Sequence, residues 1–548
     1  MKEQQAQVLA YHQATKHHFN AYARGPKQME WATQPKPFRR YQGAPLIELE
    51  KIPLGAYPPF ELALHTGNVP ITPLDHHSLS QLLFDSLAIS AWKQIGDASW
   101  ALRANPSSGN LHPTEGHLIC GPLHGLGDTP AVYHYAPREH ALELRARFPL
   151  ETWRSLTVDL PPDTVLVGLT SIHWREAWKY GERAFRYCQH DVGHAVAAIS
   201  IAAAGLGWKA TLLDDLGTEQ LACLLGVFDP QGAEAEHPDS LLAIHPQDRA
   251  CTTLQLPTEV LTTFEDLPWQ GKPNQLSPRH VNWSAIDDVA QATVKPLTAE
   301  VYSPQAAGEQ PIQTQGIPPS HVSLRRIIRQ RRSAVAMDGR TQINQDAFFW
   351  ILSQTLARPD QVPFDTLPWS PRVNLALFVH RVKGLDPGLY MLVRALGAEI
   401  TLASDLKAEF VWEKPTACPA HLDLYRLMSA DTRALARQLS CHQAIASDGC
   451  FSLGMIADFE SSLEGFGPWF YPRLFWECGA IGQVLYLAAE AAGVRGTGIG
   501  CFFDDPVHSV LGLDPETIAY QSLYHFTVGG PVEDKRLTTL PAYPKAQS

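Results

Sequence analysis

Cysteine is scarce in this chain and follows none of the usual pairing or metal-binding patterns. Nine cysteines are spread over 548 residues, and no two of them form a Cys-x-x-Cys pair. An odd number with irregular spacing does not fit a disulfide framework. The 23 histidines include the pairs His17-His18 and His76-His77, but no His-Glu-x-x-His segment or other metal-ligand spacing occurs. The sequence therefore predicts no metal site, and we interpret most of these residues as packing or surface residues.

Long apolar runs and an excess of positive charge are also missing. The longest apolar run, residues 195–208, is shorter than the roughly 18 residues of a membrane-spanning helix. The polar N-terminal segment lacks the apolar stretch of a signal peptide. A net charge of −12 argues against a nucleic-acid-binding surface, which is usually basic. With 45% hydrophobic residues the chain can form a large core. These features predict a soluble, cytoplasmic protein with no nucleic-acid or membrane partner.

The sequence contains a weak copy of part of itself. Residues 168–227 align without a gap onto residues 454–513 at an offset of 286. Identity is low, but five glycines coincide, and glycine marks tight turns and close backbone approaches. The coinciding pairs are Gly168 with Gly454, Gly181 with Gly467, Gly193 with Gly479, Gly207 with Gly493, and Gly226 with Gly512. Each copy also has an alanine-rich apolar segment, residues 194–207 and 480–493, which predicts a helix in the middle of a core.

Strand-like apolar runs accompany each of these two helices. They lie at 117–123, 132–137 and 164–170 in the first part of the chain, and at 373–382, 389–393 and 450–456 in the second. Strands mixed with long helices predict an α+β fold, with two related tandem domains packed as an intramolecular pseudo-dimer. The predicted boundaries are 1–256 for the first domain, 257–320 for a wrapping connector rich in Pro, Gln and Gly, and 321–548 for the second domain.

One polar segment, LRANPSSGNLHPTE at residues 102–115, stands between two apolar stretches. It cannot be helix or strand throughout, because each proline lacks a donor and the Asn, Ser and Gly residues favour turns. Two interpretations are open from the residues alone. The segment is either an ordinary surface loop or a polar cradle whose hydroxyls and amides hold a ligand.

The same segment, together with WKYGERAFRYCQHDVGH at residues 178–194, resembles the nitroreductase superfamily. The resemblance is to the branch of flavin-dependent dehydrogenases that oxidise thiazolines and oxazolines in peptide natural products. Later segments resemble further motifs of that superfamily and extend the resemblance over nearly the whole chain. They are RQRRSAVAMDGR at 329–340, GTGIGCFF at 496–503 and FTVGGPVEDKR at 526–536.

This resemblance implies an FMN site at a domain interface, with ligands from both domains. In the superfamily one subunit gives an Arg-Arg-Ser segment and the other gives the Pro-Ser-Ser segment. Here the first domain has no Arg-Arg-Ser, since its expected place is residues 61–74, and the second has no Pro-Ser-Ser at 366–377. Each half keeps what the other lost. The sequence therefore predicts one composite FMN site in each chain, a second site that has decayed, and a chain that can stay monomeric because its dimer is internal.

The predicted FMN ligands come from four short segments. Arg331, Arg332 and Ser333 suit the phosphate, because a guanidinium fork makes two charge-assisted bonds to it. Lys535 and Arg536 would place a cation beside the reduced ring, or else form a frayed, charged tail. The remaining predicted ligands are Pro106, Ser107, Ser108, Asn110, Gly498 and Gly500.

Lys179 and Tyr180 are the predicted catalytic residues, because the resembled oxidases use this pair in proton removal. A lysine is a poor base at neutral pH unless burial or nearby cations lower its pKa. Arg175 and Arg183 could supply that repulsion, with Glu176 and Glu182 opposing it. We interpret Asp191 and His194 as residues that cap and anchor a helix.

Three functions stay open at this stage. The first is an FMN-dependent dehydrogenase that acts on a small or peptide-derived substrate. The second is a nitro- or quinone reductase that passes electrons from NAD(P)H through the same flavin. The third is a non-catalytic scaffold among biosynthetic partner proteins, with or without bound flavin. The absence of a Gly-x-Gly-x-x-Gly segment does not separate them, since the resembled superfamily does not need one.

Overall fold

A computed structural model describes residues 2–228, 232–249, 251, 254, 256–298, 302, 322–395, 397–514 and 517–543. The predicted connector, 257–320, lies partly outside these residues. The described part of this connector contains two helices, Thr258–Glu265 and Ser284–Ala292, so it is not irregular throughout. No helix in the described residues combines the length and the apolar character that crossing a bilayer requires.

The helices are α1 (Lys2–Ala14), α2 (Phe60–Ala63), α3 (His76–Ser86), α4 (Leu150–Leu156), α5 (His173–Tyr180), α6 (Ala184–Ala204), α7 (Thr218–Leu225), α8 (Thr258–Glu265), α9 (Ser284–Ala292), α10 (Leu324–Gln330), α11 (Gln345–Ser353), α12 (Glu399–Asp405), α13 (Arg433–Leu439), α14 (Ile445–Asp448), α15 (Phe459–Phe466), α16 (Tyr471–Ala491) and α17 (Asp504–Leu511). Short 3-10 turns occupy Trp31–Thr33, Ser108–Asn110, Gly181–Arg183, Phe364–Thr366 and Pro468–Phe470.

The strands are β1 (Tyr41–Gln42), β2 (Leu46–Glu48), β3 (Ile89–Ile95), β4 (Ala98–Arg103), β5 (Thr114–Cys120), β6 (Ala131–Ala136), β7 (Ala141–Arg147), β8 (Val165–Ser171), β9 (Trp208–Leu212), β10 (His237–Pro246), β11 (Lys272–Pro273), β12 (Ile343–Asn344), β13 (Val373–Val379), β14 (Val382–Lys383), β15 (Gly388–Leu392), β16 (Leu424–Ser429), β17 (Phe451–Asp458), β18 (Arg495–Ile499), β19 (Tyr520–Gly529) and β20 (Thr538–Leu540). All six predicted strand runs are strands, and both predicted apolar helices are helices.

Two antiparallel sheets organise the chain. The strand order is β2-β7-β6-β5-β8-β10-β9 in the first and β16-β15-β13-β17-β19-β18 in the second. If β2 is left out and the strands of each sheet are numbered in chain order, both sheets have the order 3-2-1-4-6-5. The central strands are buried on both faces, which explains their continuous apolar sequence.

Helices α6 and α16 pack against each other in the middle of the molecule and are almost entirely buried. They approach most closely at two glycines of the repeat. A Cβ on Gly193 would lie 2.2 Å from the Trp476 carbonyl oxygen, and one on Gly479 would lie 2.2 Å from the His190 carbonyl oxygen. Both contacts therefore require glycine, and the offset of 286 relates one contact to the other.

Both ends of the chain cross to the opposite half. The N-terminal segment after α1 reaches α17, where the Lys16 ammonium lies 2.7 Å from the Asp505 carboxylate. At the other end β20 pairs with β3, which places Thr539 opposite Lys93. Strands β20, β3 and β4 form a three-stranded sheet. These crossings bring residues from both halves together around one cavity.

Candidate active-site cavity

A cavity of about 440 Å³ lies between the two halves of the molecule. It falls within the range of roughly 300–1,000 Å³ that is usual for small-molecule and cofactor sites. Most of the predicted site residues line it, namely Pro106, Ser107, Ser108, Asn110, Tyr180, Arg331, Arg332, Ser333, Gly498 and Gly500. The structure thus brings together segments that are more than 200 residues apart in the sequence.

Three predicted residues do not line the cavity. Lys179 lies behind the wall formed by residues 106–110, while Lys535 and Arg536 are exposed. Arg536 forms an ion pair with Asp534, with 2.7 Å between guanidinium nitrogen and carboxylate oxygen, and its own side chain is 78% exposed. The structure therefore does not bring the predicted basic tail into the site.

Residues 106–110 form a rigid turn rather than a loose surface loop. Gly109 has φ +59°, and a Cβ there would lie 2.6 Å from the Tyr180 hydroxyl oxygen. Asn110 also has positive φ, which asparagine tolerates better than most residues. Its amide donates to the Ala101 carbonyl at 2.9 Å, and the Ser107 hydroxyl accepts from the His112 backbone N–H at 2.7 Å. These bonds fix the segment against the cavity.

Three arginines contribute positive charge to the cavity wall. Arg103, Arg331 and Arg332 all line the cavity, and no ion pair within 4.0 Å joins any of them to a carboxylate in the described residues. Arg331 donates to the Arg103 carbonyl at 3.0 Å, and Arg332 donates to the Arg329 carbonyl at 2.8 Å. Burial lowers the pKa of Arg103 and of Arg332 to about 10. Arg103 belongs to the 102–115 segment that carries the family resemblance, but it was not predicted as a site residue.

Gly498 and Gly500 lie where tyrosine side chains press against the backbone. A Cβ on Gly498 would lie 1.9 Å from the Tyr524 hydroxyl oxygen, and one on Gly500 would lie 2.5 Å from a ring carbon of Tyr187. The Tyr486 hydroxyl accepts from the Gly498 N–H at 2.9 Å and lies 2.9 Å from the Ser333 hydroxyl. A side chain at either position would collide with a tyrosine, so glycine is required where these aromatic side chains form the cavity wall.

A group of acidic and basic residues lies directly behind the turn at 106–110. A Cβ on Gly109 would lie 3.1 Å from Lys179 Nζ, so the Lys-Tyr pair and the Pro-Ser-Ser segment are in contact. Glu176 is fully buried, and neither of its carboxylate oxygens has a hydrogen-bond partner in the described residues. Burial raises the pKa of Glu176 well above its usual value, and the nearby Asp191 raises it further. The sequence analysis gave Glu176 only a minor role because its burial could not be foreseen.

Asp191 and His194 do not cap a helix, so that interpretation is wrong. Both lie in the interior of α6, which begins at Ala184. The Asp191 carboxylate instead accepts from the Ser108 N–H at 3.0 Å and from its hydroxyl at 3.3 Å, so it anchors the turn. Burial raises the pKa of Asp191 to about 7.

The two arginines expected to act on Lys179 are engaged elsewhere. Arg175 donates to the His112 carbonyl at 2.6 Å and also pairs with Glu115. Arg183 pairs with Asp504, with 2.9 Å between nitrogen and oxygen. Both guanidinium groups are therefore paired with carboxylates, and they do not supply the predicted repulsion of Lys179. Lys179 instead interacts with Glu176, and its charge opposes the rise in the pKa of that carboxyl.

No family model matches the sequence. A crystal structure of a candidate nitroreductase from Anabaena variabilis superposes with a TM-score of 0.69 over 96% of this chain and 99% of that chain, at 23% identity. A candidate nitroreductase of Methanocaldococcus jannaschii is 23% identical over 142 residues, which cover 25% of this chain and 66%, just under two thirds, of that relative. One chain of the Escherichia coli microcin synthetase complex with truncated pro-MccB17 superposes with a TM-score of 0.25, at 17% identity, over 45% of this chain and 93% of its own length.

The Anabaena match extends over almost the whole chain. At 23% identity it establishes the fold and nothing finer. This protein therefore has a mixed α+β, nitroreductase-like fold. The resemblance to the thiazoline- and oxazoline-oxidising branch, and the tandem duplication, stay predictions.

Proposed function

We propose that this protein is an FMN-dependent oxidoreductase, and specifically a dehydrogenase that removes a hydride and a proton from a small or peptide-derived substrate. The observation that carries the proposal is the set of three arginines at one cavity, of which Arg103 and Arg331 are buried and Arg332 is half-buried. A buried charge is costly unless an opposite charge compensates it. A bound phosphate dianion would supply that compensation.

The cavity also offers polar groups that suit a flavin. Six residues on its wall have a buried polar atom without a hydrogen-bond partner in the described residues: Arg103 Nε, Asn105 Oδ1, His112 Nδ1, Asp191 Oδ2, His194 Nδ1 and Arg331 Nε. Such atoms usually find partners in a ligand or in ordered water. The donor set of guanidinium, hydroxyl and backbone N–H groups fits the phosphate and the polar edge of FMN. When bound, FMN supplies an acceptor for a hydride.

The proposed roles of the protein groups follow from their positions. Arg331 and Arg332, with Ser333, would bind the phosphate, and Arg103 would add positive charge. The 106–110 turn would hold the cofactor from the opposite half. Tyr180, whose hydroxyl borders the cavity, would take the substrate proton while passing its own proton to Lys179, whose Nζ lies 5.2 Å from the Tyr180 ring centroid. Glu176 would hold a proton next to Lys179.

We further propose that the chain is a tandem duplication whose halves form an internal pseudo-dimer with one FMN site. Support comes from the matching strand orders and from the two glycine contacts related by the offset of 286. With this arrangement a single chain would supply both halves of the FMN site, so we propose a monomeric, cytoplasmic protein. If the substrate is peptide-derived, we expect partner proteins from the same biosynthetic pathway.

The test begins with the purified full-length chain and its flavin content. We expect a yellow protein that releases one FMN per chain on denaturation. Two tightly bound flavins per chain would contradict the single composite site. A colourless protein that does not bind added FMN would contradict the oxidoreductase and favour the scaffold. Rapid loss of flavin colour with NAD(P)H, without oxidation of thiazoline-containing peptides, would favour the nitro- or quinone reductase.

A further inference from the structure

Two cysteines from different loops meet at the edge of the cavity. Cys501 follows β18 and lines the cavity, while Cys441 follows α13. Both side chains are half-buried, and the two thiols lie close enough for each to shift the pKa of the other. Neither residue has a role in the proposed dehydrogenation.

The backbone holds the two cysteine loops side by side. The Phe503 N–H donates to the Leu439 carbonyl at 2.8 Å. Cys501 lies two residues before Phe503, and Cys441 lies two residues after Leu439. The Gln443 side-chain amide adds a bond of 3.0 Å to the Cys501 carbonyl. These bonds hold the two loops together, so the fold itself brings Cys441 and Cys501 near each other.

The surroundings favour a thiolate on Cys501 and a thiol on Cys441. His17 Nδ1 accepts from the Ala23 backbone N–H at 2.9 Å, so a neutral His17 carries its proton on Nε2 and can donate it toward Cys501. The hydrogen bond from Cys441 lowers the pKa of Cys501 to about 5, with burial opposing and His17 and Arg183 assisting. The same hydrogen bond raises the pKa of Cys441. The titratable and charged groups that face the two sulfurs are His17, Tyr22, Tyr180, Arg183, Tyr187 and Asp504.

This pair differs from the other cysteines. All nine cysteines lie in the described part of the chain, and Cys501 is the one whose pKa is lowered. Burial raises the pKa of Cys120, Cys188, Cys223, Cys251, Cys418, Cys450 and Cys478. Reactive cysteines are found in partly exposed sites that stabilise the thiolate, whereas buried structural cysteines are inert.

We propose that Cys501 and Cys441 form a thiol–disulfide exchange site that opens into the cavity and reacts with low-molecular-weight disulfides. The Cys501 thiolate attacks one sulfur of the disulfide, forms a mixed disulfide and releases one thiolate. The released thiolate takes the Cys441 proton. Cys441 then attacks the Cys501 sulfur, closes the Cys441–Cys501 disulfide and releases the second thiolate. The protein is oxidised by two electrons, and the external disulfide is reduced to a thiol and a thiolate.

Oxidised glutathione is the probe for this site, applied to the purified full-length chain as isolated. After the remaining thiols are blocked, peptide mass spectrometry should find residues 441 and 501 linked by a disulfide. The variant C441S should stop at a glutathione adduct on Cys501. C501S should react at Cys441 at least tenfold more slowly. The matched control C418S changes another half-buried cysteine and should behave as the parent protein does.

The pH dependence gives a second measurement that needs no variant. Modification of Cys501 should be almost independent of pH between 6 and 8, because its thiolate is already formed. Modification of Cys418 should accelerate about tenfold per pH unit over that range, because its thiolate fraction is still rising. Absence of the linked peptide in the parent protein would overturn the proposal, as would equal reaction rates for C501S and the parent. The reaction does not involve flavin, so its failure is distinguishable from failure of the oxidoreductase proposal.

Discussion

The cavity and the region that corresponds to it at the offset of 286 have opposite charge arrangements. In the cavity, the Tyr187 hydroxyl donates to the Gly500 carbonyl at 3.0 Å. The corresponding residues are Arg473 and Asp214, and they form an ion pair with 2.7 Å between nitrogen and oxygen. Both side chains of that pair are 5% exposed. Tyr187 makes a neutral hydrogen bond beside the cavity, whereas its counterpart Arg473 is neutralised by a buried carboxylate.

The same contrast holds one helical turn further along the two central helices. Asp191 leaves one carboxylate oxygen without a partner at the cavity. Its counterpart, Glu477, accepts from the Arg372 N–H at 3.0 Å and pairs with Arg394. Buried Trp369 packs near this second region, with its ring centroid 5.6 Å from that of Phe470. Where charges are compensated internally no counter-ion is needed, and where they are not a ligand is expected.

The largest expected effect tests catalysis in the half that keeps the Lys-Tyr pair. Lys179→Ala should lower dehydrogenation of a thiazoline-containing peptide by about 10²–10⁴-fold, the usual contribution of a positioned general base. Flavin should be retained, because Lys179 does not line the cavity. Steady-state rates and flavin absorbance measure the two properties separately.

The control is Lys27→Ala, which changes an exposed lysine. Quinone reduction should be much less affected by Lys179→Ala, since it needs no base at this position. An unchanged dehydrogenation rate would remove Lys179 from the proposed chemistry. Loss of flavin would make the lysine structural instead.

The next effect tests the closed counterpart region. Arg473→Met leaves Asp214 buried without its partner and should lower the free energy of unfolding by about 3–5 kcal/mol. The flavin content should not change. The matching change in the cavity, Tyr187→Phe, removes one hydrogen bond and should cost only about 0.5–1.5 kcal/mol. Denaturant unfolding of both variants measures the difference, and equal costs would contradict the contrast drawn between the two regions.

Much of the fold could be predicted from the sequence, because it depends on local patterns. The apolar runs identify six strands, and the alanine-rich segments identify α6 and α16. The pairing of β20 with β3 was not predicted, since it joins residues more than 400 positions apart. Nothing in the local sequence near either strand signals that partner.

The candidate site was predicted less completely. The motif residues converge on one cavity, but Glu176, the anchoring role of Asp191 and the Cys441–Cys501 contact depend on burial and on long-range proximity. Asp191 lies 83 positions from the serine that it holds. A carboxylate in the middle of an apolar helix gives no sign of its partner, and scattered cysteines give no sign that two of them meet.

The phosphate cluster provides a smaller expected effect. Arg332→Ala should weaken FMN binding by about 1.5–3 kcal/mol, the range for a hydrogen bond to a charged group. The apoprotein should lose little stability, because Arg332 is only half-buried and forms no ion pair with a carboxylate in the described residues. Arg326→Ala, on the exposed side of the same segment, is the matched control. Unchanged FMN affinity, measured by fluorescence titration of the apoprotein, would contradict the phosphate site.

The smallest expected effect concerns the basic tail that the sequence analysis assigned to the flavin. Arg536 is exposed and already pairs with Asp534, and exposed ion pairs contribute about 0–1 kcal/mol. Arg536→Ala should therefore change FMN affinity by less than about 1 kcal/mol, and Lys535→Ala should do the same. The same fluorescence titration compares both with Arg332→Ala. If Arg536→Ala weakens FMN binding as much as Arg332→Ala does, the tail closes over the cavity when the cofactor binds, and Arg536 then exchanges Asp534 for the flavin. In that case the double variant of Arg536 and Asp534 should bind FMN as weakly as Arg536→Ala alone, because the carboxylate competes with the cofactor only while the arginine is present.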